Sequence, residues 1–289
     1  MGLRRQVLPL ASCLLMGIAV ASAQSIKKQF TTTANPSFLL HNRIGNLSIT
    51  GWDQSVVDIQ GRPASDLVEV IVMGGEQKVS VQTHPERERL NLQDMRVDFQ
   101  VHVPRQAAVR VESDQGDILI ENLEGTVNIQ GAANSVTLSR VKGHITVRTE
   151  SGPILIQSSG GNITADSISG KMSFVQVSGS ELVANTNTGT IRYEGDFGNG
   201  GTYVLNNYSS PIEILATAKA SFDLTARAVL GLIDNNLPFR PTPLGNPFRQ
   251  LAPDKFLQGR FNSGDSTVRV TSYSGTIRVR GPRPDGPAQ

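Results

Sequence analysis

Gly116-Asp-Ile-Leu-Ile120, Gly125-Thr-Val-Asn-Ile129, Asn134-Ser-Val-Thr-Leu138, Gly143-His-Ile-Thr-Val147, Gly152-Pro-Ile-Leu-Ile156, Gly161-Asn-Ile-Thr-Ala165 and Gly170-Lys-Met-Ser-Phe174 follow one another at nine-residue spacing. The grid extends to Gly179, and Asn134 fills its one non-glycine slot. Each unit reads Gly-x-Φ-x-Φ, with Φ apolar. Apolar residues make up 38% of the chain. Random filling would therefore make all Φ positions of these units apolar only about once in a million times. Polar residues dominate the x positions, so the period is two, that of short half-buried strands. Asn134 at a glycine slot predicts a left-handed turn there, since Asn tolerates that conformation next best.

The spacing from Gly179 to Gly189 is ten, and the apolar pair moves to Leu182 and Ala184. One extra residue just after Gly179, accommodated as a bulge, accounts for both shifts. Gly189-Thr-Ile-Arg-Tyr193, Ser210-Pro-Ile-Glu-Ile214 and Gly275-Thr-Ile-Arg-Val279 resume the pattern, and Gly45-Asn-Leu-Ser-Ile49 precedes it. Two residues before the turn, Leu123, Val141 and Val177 recur at eighteen-residue spacing with Ser159 as the exception. The alternate set is Asp114, Ala132, Glu150 and Ile168. Alternate units thus differ in kind, and the geometry predicted is all-β: a parallel β-solenoid (a β-roll or β-helix) of about 18 residues and two strands per coil, stacked ~4.8 Å apart. An antiparallel meander is the competing reading. It fits less well because nearly every unit begins with the same Gly in the same phase.

Outward from the repeats, residues 24–104 are β-rich without the grid and read as a cap or as irregular early coils. Candidate strands include Phe38–His41, Leu47–Thr50, Val56–Gln60, Leu67–Met73, Lys78–Gln82, Leu90–Leu92, Val97–Val103 and Ala108–Val111. Residues 105–281 form the repeat region. It is interrupted at 234–262, where Pro238, Pro241, Pro243, Pro247 and Pro253 argue against a ladder strand and Phe239, Phe248 and Phe256 are interleaved. That segment reads as a loop or cap packing its aromatics on the coils, or else as a partner-binding lid. Residues 282–289 read as a disordered tail.

At the N-terminus, Met1–Arg5 is basic, Val7–Val20 is largely apolar, and Ala21-Ser22-Ala23 is a small-residue cleavage site. Residues 1–23 are expected to be a signal peptide cleaved near Ala23-Gln24, which predicts export to the periplasm, the outer surface or the medium. A membrane anchor and a lipoprotein box at Leu10–Cys13 are weaker alternatives. The whole chain has 27 basic and 25 acidic residues. Removing Arg4 and Arg5 with the leader balances the mature chain at zero. A neutral chain without a basic block gives no reason to expect nucleic-acid binding. Cys13, the only cysteine, leaves with the leader, so no thiol or disulfide is expected in the mature protein. No later stretch is long and apolar enough for a membrane helix.

The search for chemistry assigns no catalytic, cofactor-binding or metal-ligating residue. His41, His84, His102 and His144 are scattered, and the last two are expected to face outward. Ser266 beside Asp265 lacks a nucleophile elbow and reads as a turn serine. The turns lack the stacked aspartates of a calcium roll. Asp114 and Glu150 share a phase two coils apart, with Asp117 and Glu121 nearby. They are the candidate carboxylates should the surface act on polysaccharides. On the outward faces, Asn128, Thr146 and Thr164 form a polar row suited to water or carbohydrate. Leu119 and Leu155 imply a covered face, beneath the N-terminal region, the Pro/Phe segment or another molecule.

Gly116-Asp-Ile-Leu-Ile, Ser151-Gly152-Pro-Ile-Leu-Ile and Ser274-Gly275-Thr-Ile-Arg-Val resemble a large bacterial family of exported β-strand-repeat proteins, the putative adhesin family, much of which is formally a domain of unknown function. Gly45-Asn-Leu-Ser-Ile with Gly51-Trp52-Asp53, and Val103-Pro104 before the repeats, fit the same resemblance over roughly residues 38–281. It implies a β-solenoid, export and no recognised active site. The function expected is a non-enzymatic, adhesin-like or envelope-associated binding scaffold for an unidentified surface, protein or carbohydrate. A carbohydrate-active enzyme using surface carboxylates is the alternative, and a self-associating structural protein a second one.

Overall fold

The computed structural model describes residues 25–87, 91–241 and 254–281. The expected signal peptide, Phe248 and the expected tail lie outside them. Among the described residues there is no helix, and all 22 strands join one sheet.

The nine-residue units stack at an offset of eighteen. Ile154–Gln157 pairs in parallel with both Val136–Ser139 and Met172–Val175. The strand Gly160–Ser167 lies likewise between Lys142–Thr149 and Ser178–Thr186. Each chain repeat is therefore one rung with two strand positions. The Φ residues point inward in columns: Ile118, Val136, Ile154, Met172, Ile191, Ile212 and Ile277 in one, and Val127, Ile145, Ile163, Leu182, Tyr203 and Val268 in another. All are at most 1% exposed and belong to a single core running from Phe38 to Val279. Burying an aliphatic side chain of this size contributes roughly 1.5–3 kcal/mol. The pairing jumps from Gly160↔Ser178 to Asn162↔Glu181, which is the bulge expected after Gly179. From there on the offset exceeds eighteen.

Some repeat strands are short, with four residues in Ile154–Gln157 and Met172–Val175, but two are far longer. Ala108–Leu123 and Val127–Ser151 run unbroken through Gly116, Asn134 and Gly143. The chain bends there without leaving the ladder. Positive φ occurs on the grid at Gly116, Gly143, Gly152 and Gly161, and it also recurs at eighteen-residue spacing at Asn122, Arg140, Ser158 and Gln176, with Gly195 one bulge later. Asn134 has no positive φ, contrary to the expectation of a left-handed turn, and neither do Gly125, Gly170 and Gly179. What the grid glycines share is proximity. A Cβ on Gly125, Gly143, Gly152, Gly161, Gly170 or Gly179 would lie 2.0–2.4 Å from the carbonyl oxygen of the residue one rung below. The glycines are required by the close approach of stacked backbones more than by turning.

The sheet is mixed, which corrects the expectation of parallel coils throughout. The rungs are parallel, and the antiparallel pairs gather at the two ends. At the N-terminal end, Ser37–Ile44 and Leu47–Trp52 pair in parallel with Ala108–Leu123. Beyond them lie Lys78–Pro85 and Val97–Pro104. Antiparallel Val68–Gly74, Val56–Pro63 and Ile26–Thr31 complete that end. At the other end the last two strands turn back into the stack. Ser266–Ser272 inserts between Thr202–Asn207 and Phe222–Ala228. Ile277–Arg280 inserts between Ile212–Ala216 and Ile233–Asn235. Antiparallel Phe256–Phe261 then covers Phe222–Ala228, and Arg240–Pro241 covers part of it in turn. A bare terminal rung would offer unpaired N–H and C=O groups to other chains, and these antiparallel strands occupy them.

The 234–262 segment thus contains ladder strands, against the reading from its prolines. Pro241 sits in the outermost strand, where no donor is needed, and Phe256–Phe261 contains no proline. Its aromatics do pack on the coils. Phe239 and Phe261 meet Phe222 at centroid distances of 5.7 Å, and Phe222 meets Phe197 at 4.6 Å. The candidate strand at Leu90–Leu92 falls partly outside the described residues, and Asn91 and Leu92 are not in a strand.

Candidate functional site

A recurrence that the glycine grid hides organises one corner of every rung. Asn42, Ser113, Thr149, Ser167, Thr186, Asn207 and Ser272 stand three residues before the Gly or Ser that opens the next unit. All are buried. In register they form an inward polar column. Where the chain turns, their side chains satisfy the freed donors: Gly170 N–H donates to Ser167 Oγ at 2.9 Å, Gly189 N–H to Thr186 Oγ1 at 3.1 Å and Ser210 N–H to Asn207 Oδ1 at 2.7 Å. This is the local side-chain capping that favours Ser, Thr and Asn at turns. Gly131 and Ala228 occupy this column without such a side chain, and at Gly131 the side chain of Asn134 reaches in. Its Nδ2 donates to Ser113 Oγ at 3.1 Å and to Gly116 O at 3.2 Å.

Because the corner residue points inward, its two neighbours point outward on either side of it. Two outward columns result, with an open groove of about 790 Å³ between them. The first runs Gln130, Arg148, Asp166, Asn185, Asn206, Thr271. It is joined by side-chain hydrogen bonds along the stack. Asn206 Nδ2 donates to Asn185 Oδ1 at 2.9 Å, Asn185 Nδ2 to Asp166 Oδ1 at 2.8 Å, and Arg148 Nε to Asp166 Oδ2 at 3.4 Å. The second column runs Glu150, Ile168, Asn187, Tyr208, Tyr273, Val229. The rings of Tyr208 and Tyr273 are parallel, 4.7 Å apart with 6° between their planes. Ile168, Tyr208 and Tyr273 are 55%, 57% and 40% exposed, among the few large apolar side chains facing water.

The residues singled out from sequence fall elsewhere, with one exception. Glu150 stands on the groove rim, whereas Asp114 is two rungs away in the same column with Ala132 between, and is engaged by Arg43 Nε at 3.3 Å. Glu121 is paired with Arg140 at 3.0 Å. These carboxylates are not brought together. His102 faces away from the core as expected, between buried Val101 and Val103, but is half-buried there because Trp52 stacks on it at 5.0 Å and Asp58 lies 4.0 Å from its Nδ1. His144 is exposed as expected, and His41 lies 3.2 Å from Glu112. Ser266 is buried, its hydroxyl donating to Gly198 O. No group of three or more His, Cys, Asp or Glu side chains that could hold a metal ion occurs among the described residues.

The expected polar row is less open than predicted, with Asn128 and Thr164 half-buried and Thr146 only 9% exposed. Small side chains one strand spacing apart shield one another. Leu119 and Leu155 are half-buried. Leu119 borders a hollow of about 310 Å³ walled by Gln60, Arg62, Asp98, Phe99 and Gln100 of the N-terminal strands. The Pro/Phe segment packs on Phe222 at the far end of the stack.

No protein-family model matches the chain, and no curated protein matches it. Among solved structures it is similar to a "putative cell adhesion protein" from Clostridium sporogenes, with 7% identity, a TM-score of 0.27 and coverage of 90% of this chain and 100% of that one. It is also similar to a "putative adhesin" from Bacteroides fragilis, with 11% identity, a TM-score of 0.37 and coverage of 90% and 98%. At these scores the function rests on the residues of this chain. No helix among the described residues is long and apolar enough to cross a membrane.

Proposed function

We propose that the chain is an exported, non-enzymatic β-solenoid acting as an adhesin-like contact scaffold, and that the corner groove is its contact surface. The observation that carries this reading is the pairing of an exposed, stacked Tyr208–Tyr273 platform with a hydrogen-bonded polar column across one groove. The stacked pair contributes only about 0.5–1.5 kcal/mol to folding, and amphipathic rings at a surface supply contact area on binding. The groove spans several rungs of a stack buttressed on both sides, so its side chains are held in place before any ligand arrives.

The test uses the labelled mature chain on intact bacterial cells and on envelope fractions. Tyr208→Ala/Tyr273→Ala is expected to lower retention about tenfold, the scale of losing two aromatic contacts, with the thermal midpoint lowered by no more than about 5 °C. Undiminished retention refutes the groove as the contact surface. Release of reducing ends from polysaccharides, abolished by Glu150→Ala or Asp114→Ala, refutes the non-enzymatic reading.

A further inference from the structure

We infer that the groove takes a neutral glycan chain lying along the stacking axis, a deepening that rests on the contact-scaffold reading above. Three features of the groove select this chemistry.

The first is the kind of surface on each wall. Tyr208 and Tyr273 stack on one another and present two half-exposed, amphipathic rings to the groove. A flat, amphipathic ring face suits the C–H face of a pyranose, which is apolar on its faces and polar at its rim. The opposite wall offers amide and carboxylate groups, Asn206, Asn185 and Asp166, that donate and accept in a plane suited to paired hydroxyls. These groups repeat at the strand spacing of ~4.8 Å, close to the length of one sugar residue. A chain laid along the axis would meet an equivalent amide at successive sugars.

The second is charge. Among the described residues Arg148 is the only basic one lining the groove, and it is hydrogen-bonded to Asp166. With Glu150 on the rim, the groove has one acid in excess and no unpaired cation. An acidic polysaccharide would find no counter-charge there and would meet a like charge, which disfavours it.

The third is the backbone. A peptide partner would most simply add a strand to an open sheet edge. The strands under the groove, Gly160–Ser167, Ser178–Thr186 and Thr202–Asn207, each have a parallel neighbour on both sides. No ladder hydrogen bond is free, so recognition falls to side chains.

The test is isothermal titration of the mature protein with cellohexaose, xylohexaose, mannohexaose and maltohexaose, and with polygalacturonate as the acidic probe. At least one neutral hexasaccharide is expected to saturate the protein. Tyr208→Ala should weaken it about tenfold, and Tyr208→Phe, which keeps the ring face, by no more than about twofold. Asn206→Ala should weaken it several-fold. The proposal is overturned if no neutral hexasaccharide binds at about 10 mM, if polygalacturonate binds in preference, or if Tyr208→Ala binds as the wild type does. A second arm separates this proposal from the scaffold reading. Periodate, which cleaves vicinal diols, should abolish retention on envelope fractions, and protease treatment should leave it. The reverse result, with retention still sensitive to Tyr208→Ala, defeats the glycan and leaves the scaffold. Retention insensitive to Tyr208→Ala defeats the scaffold reading itself.

Discussion

Four glycine-to-alanine substitutions separate the two reasons a glycine can be required in this fold. Gly75 has neither a positive φ nor any atom within 4 Å of an added Cβ. Gly200 has a φ of +72° and open space. Gly179 lacks a positive φ, but its Cβ would sit 2.2 Å from Gly161 O. Gly161 combines a φ of +110° with a Cβ 2.1 Å from Gly143 O. Backbone in the left-handed region costs a non-glycine residue about 1–2 kcal/mol. The steric cost follows from the distance. Moving a 2.2 Å approach to ordinary contact requires the rungs to part by about 1 Å, stretching one or two ladder hydrogen bonds at about 1 kcal/mol each and loosening the packing beneath for a further 1–2 kcal/mol. Gly75→Ala should therefore be neutral or stabilising by up to ~0.5 kcal/mol. Gly200→Ala should cost about 1 kcal/mol, Gly179→Ala about 2–3 kcal/mol and Gly161→Ala about 3–5 kcal/mol. Urea unfolding checks the order, with unchanged m-values marking a pure stability effect. A Gly179→Ala protein as stable as Gly200→Ala would refute close approach as the reason for the nine-residue glycines.

The irregular rung gives a double-mutant cycle. Gly131→Ser places a side chain against Asn134, Asn134→Gly empties a buried amide site, and together they restore the regular corner, so the pair should cost about 1–2 kcal/mol less than the sum of the singles; additive denaturation energies would contradict this. Phe222 anchors the aromatic cluster beneath the terminal strands and is fully buried, so Phe222→Ala should cost about 3–5 kcal/mol. Limited proteolysis should then cut first within 229–261, and a first cut among the central rungs would count against this role. Asp223, paired across strands with Arg260 at 2.7 and 2.9 Å, has its carboxyl held below the ordinary range by that side-chain hydrogen bond. Its contribution is full above the unfolded carboxylate value of about 3.9 and is lost as pH falls through the depressed folded value. Arg260→Gln should return the Asp223 titration, followed by carbon NMR, towards the usual range; an unmoved titration would show that the arginine is not the cause.

The inward columns were legible in the sequence because a strand repeats every two residues and a rung every eighteen. Ile118, Val136 and Ile154 could face only the core once that phase was read. The bulge after Gly179 was legible for the same reason, since an unshifted register would have turned Leu182 and Ala184 to water. The turn conformations were only half legible. Gly116, Gly143, Gly152 and Gly161 do have positive φ, but Asn134, Gly125, Gly170 and Gly179 do not, and further left-handed corners fall to Asn122, Arg140, Ser158 and Gln176. The groove was half legible. The column through Asp114, Ala132, Glu150 and Ile168 continues to Asn187, Tyr208 and Tyr273, but insertions after Gly179 break the eighteen-residue count that would have traced it.

Local pattern alone determined that this chain is β-structure built of repeating units with an aliphatic interior, because alternation and glycine spacing act within a few residues. Tertiary structure alone decided the order of the terminal rungs. A ladder hydrogen bond carries no sequence label, so nothing in Ser266–Ser272 states that it lies between Thr202–Asn207 and Phe222–Ala228. That insertion brings Tyr273 onto Tyr208, residues 65 positions apart, and so completes the one surface on which the functional reading stands.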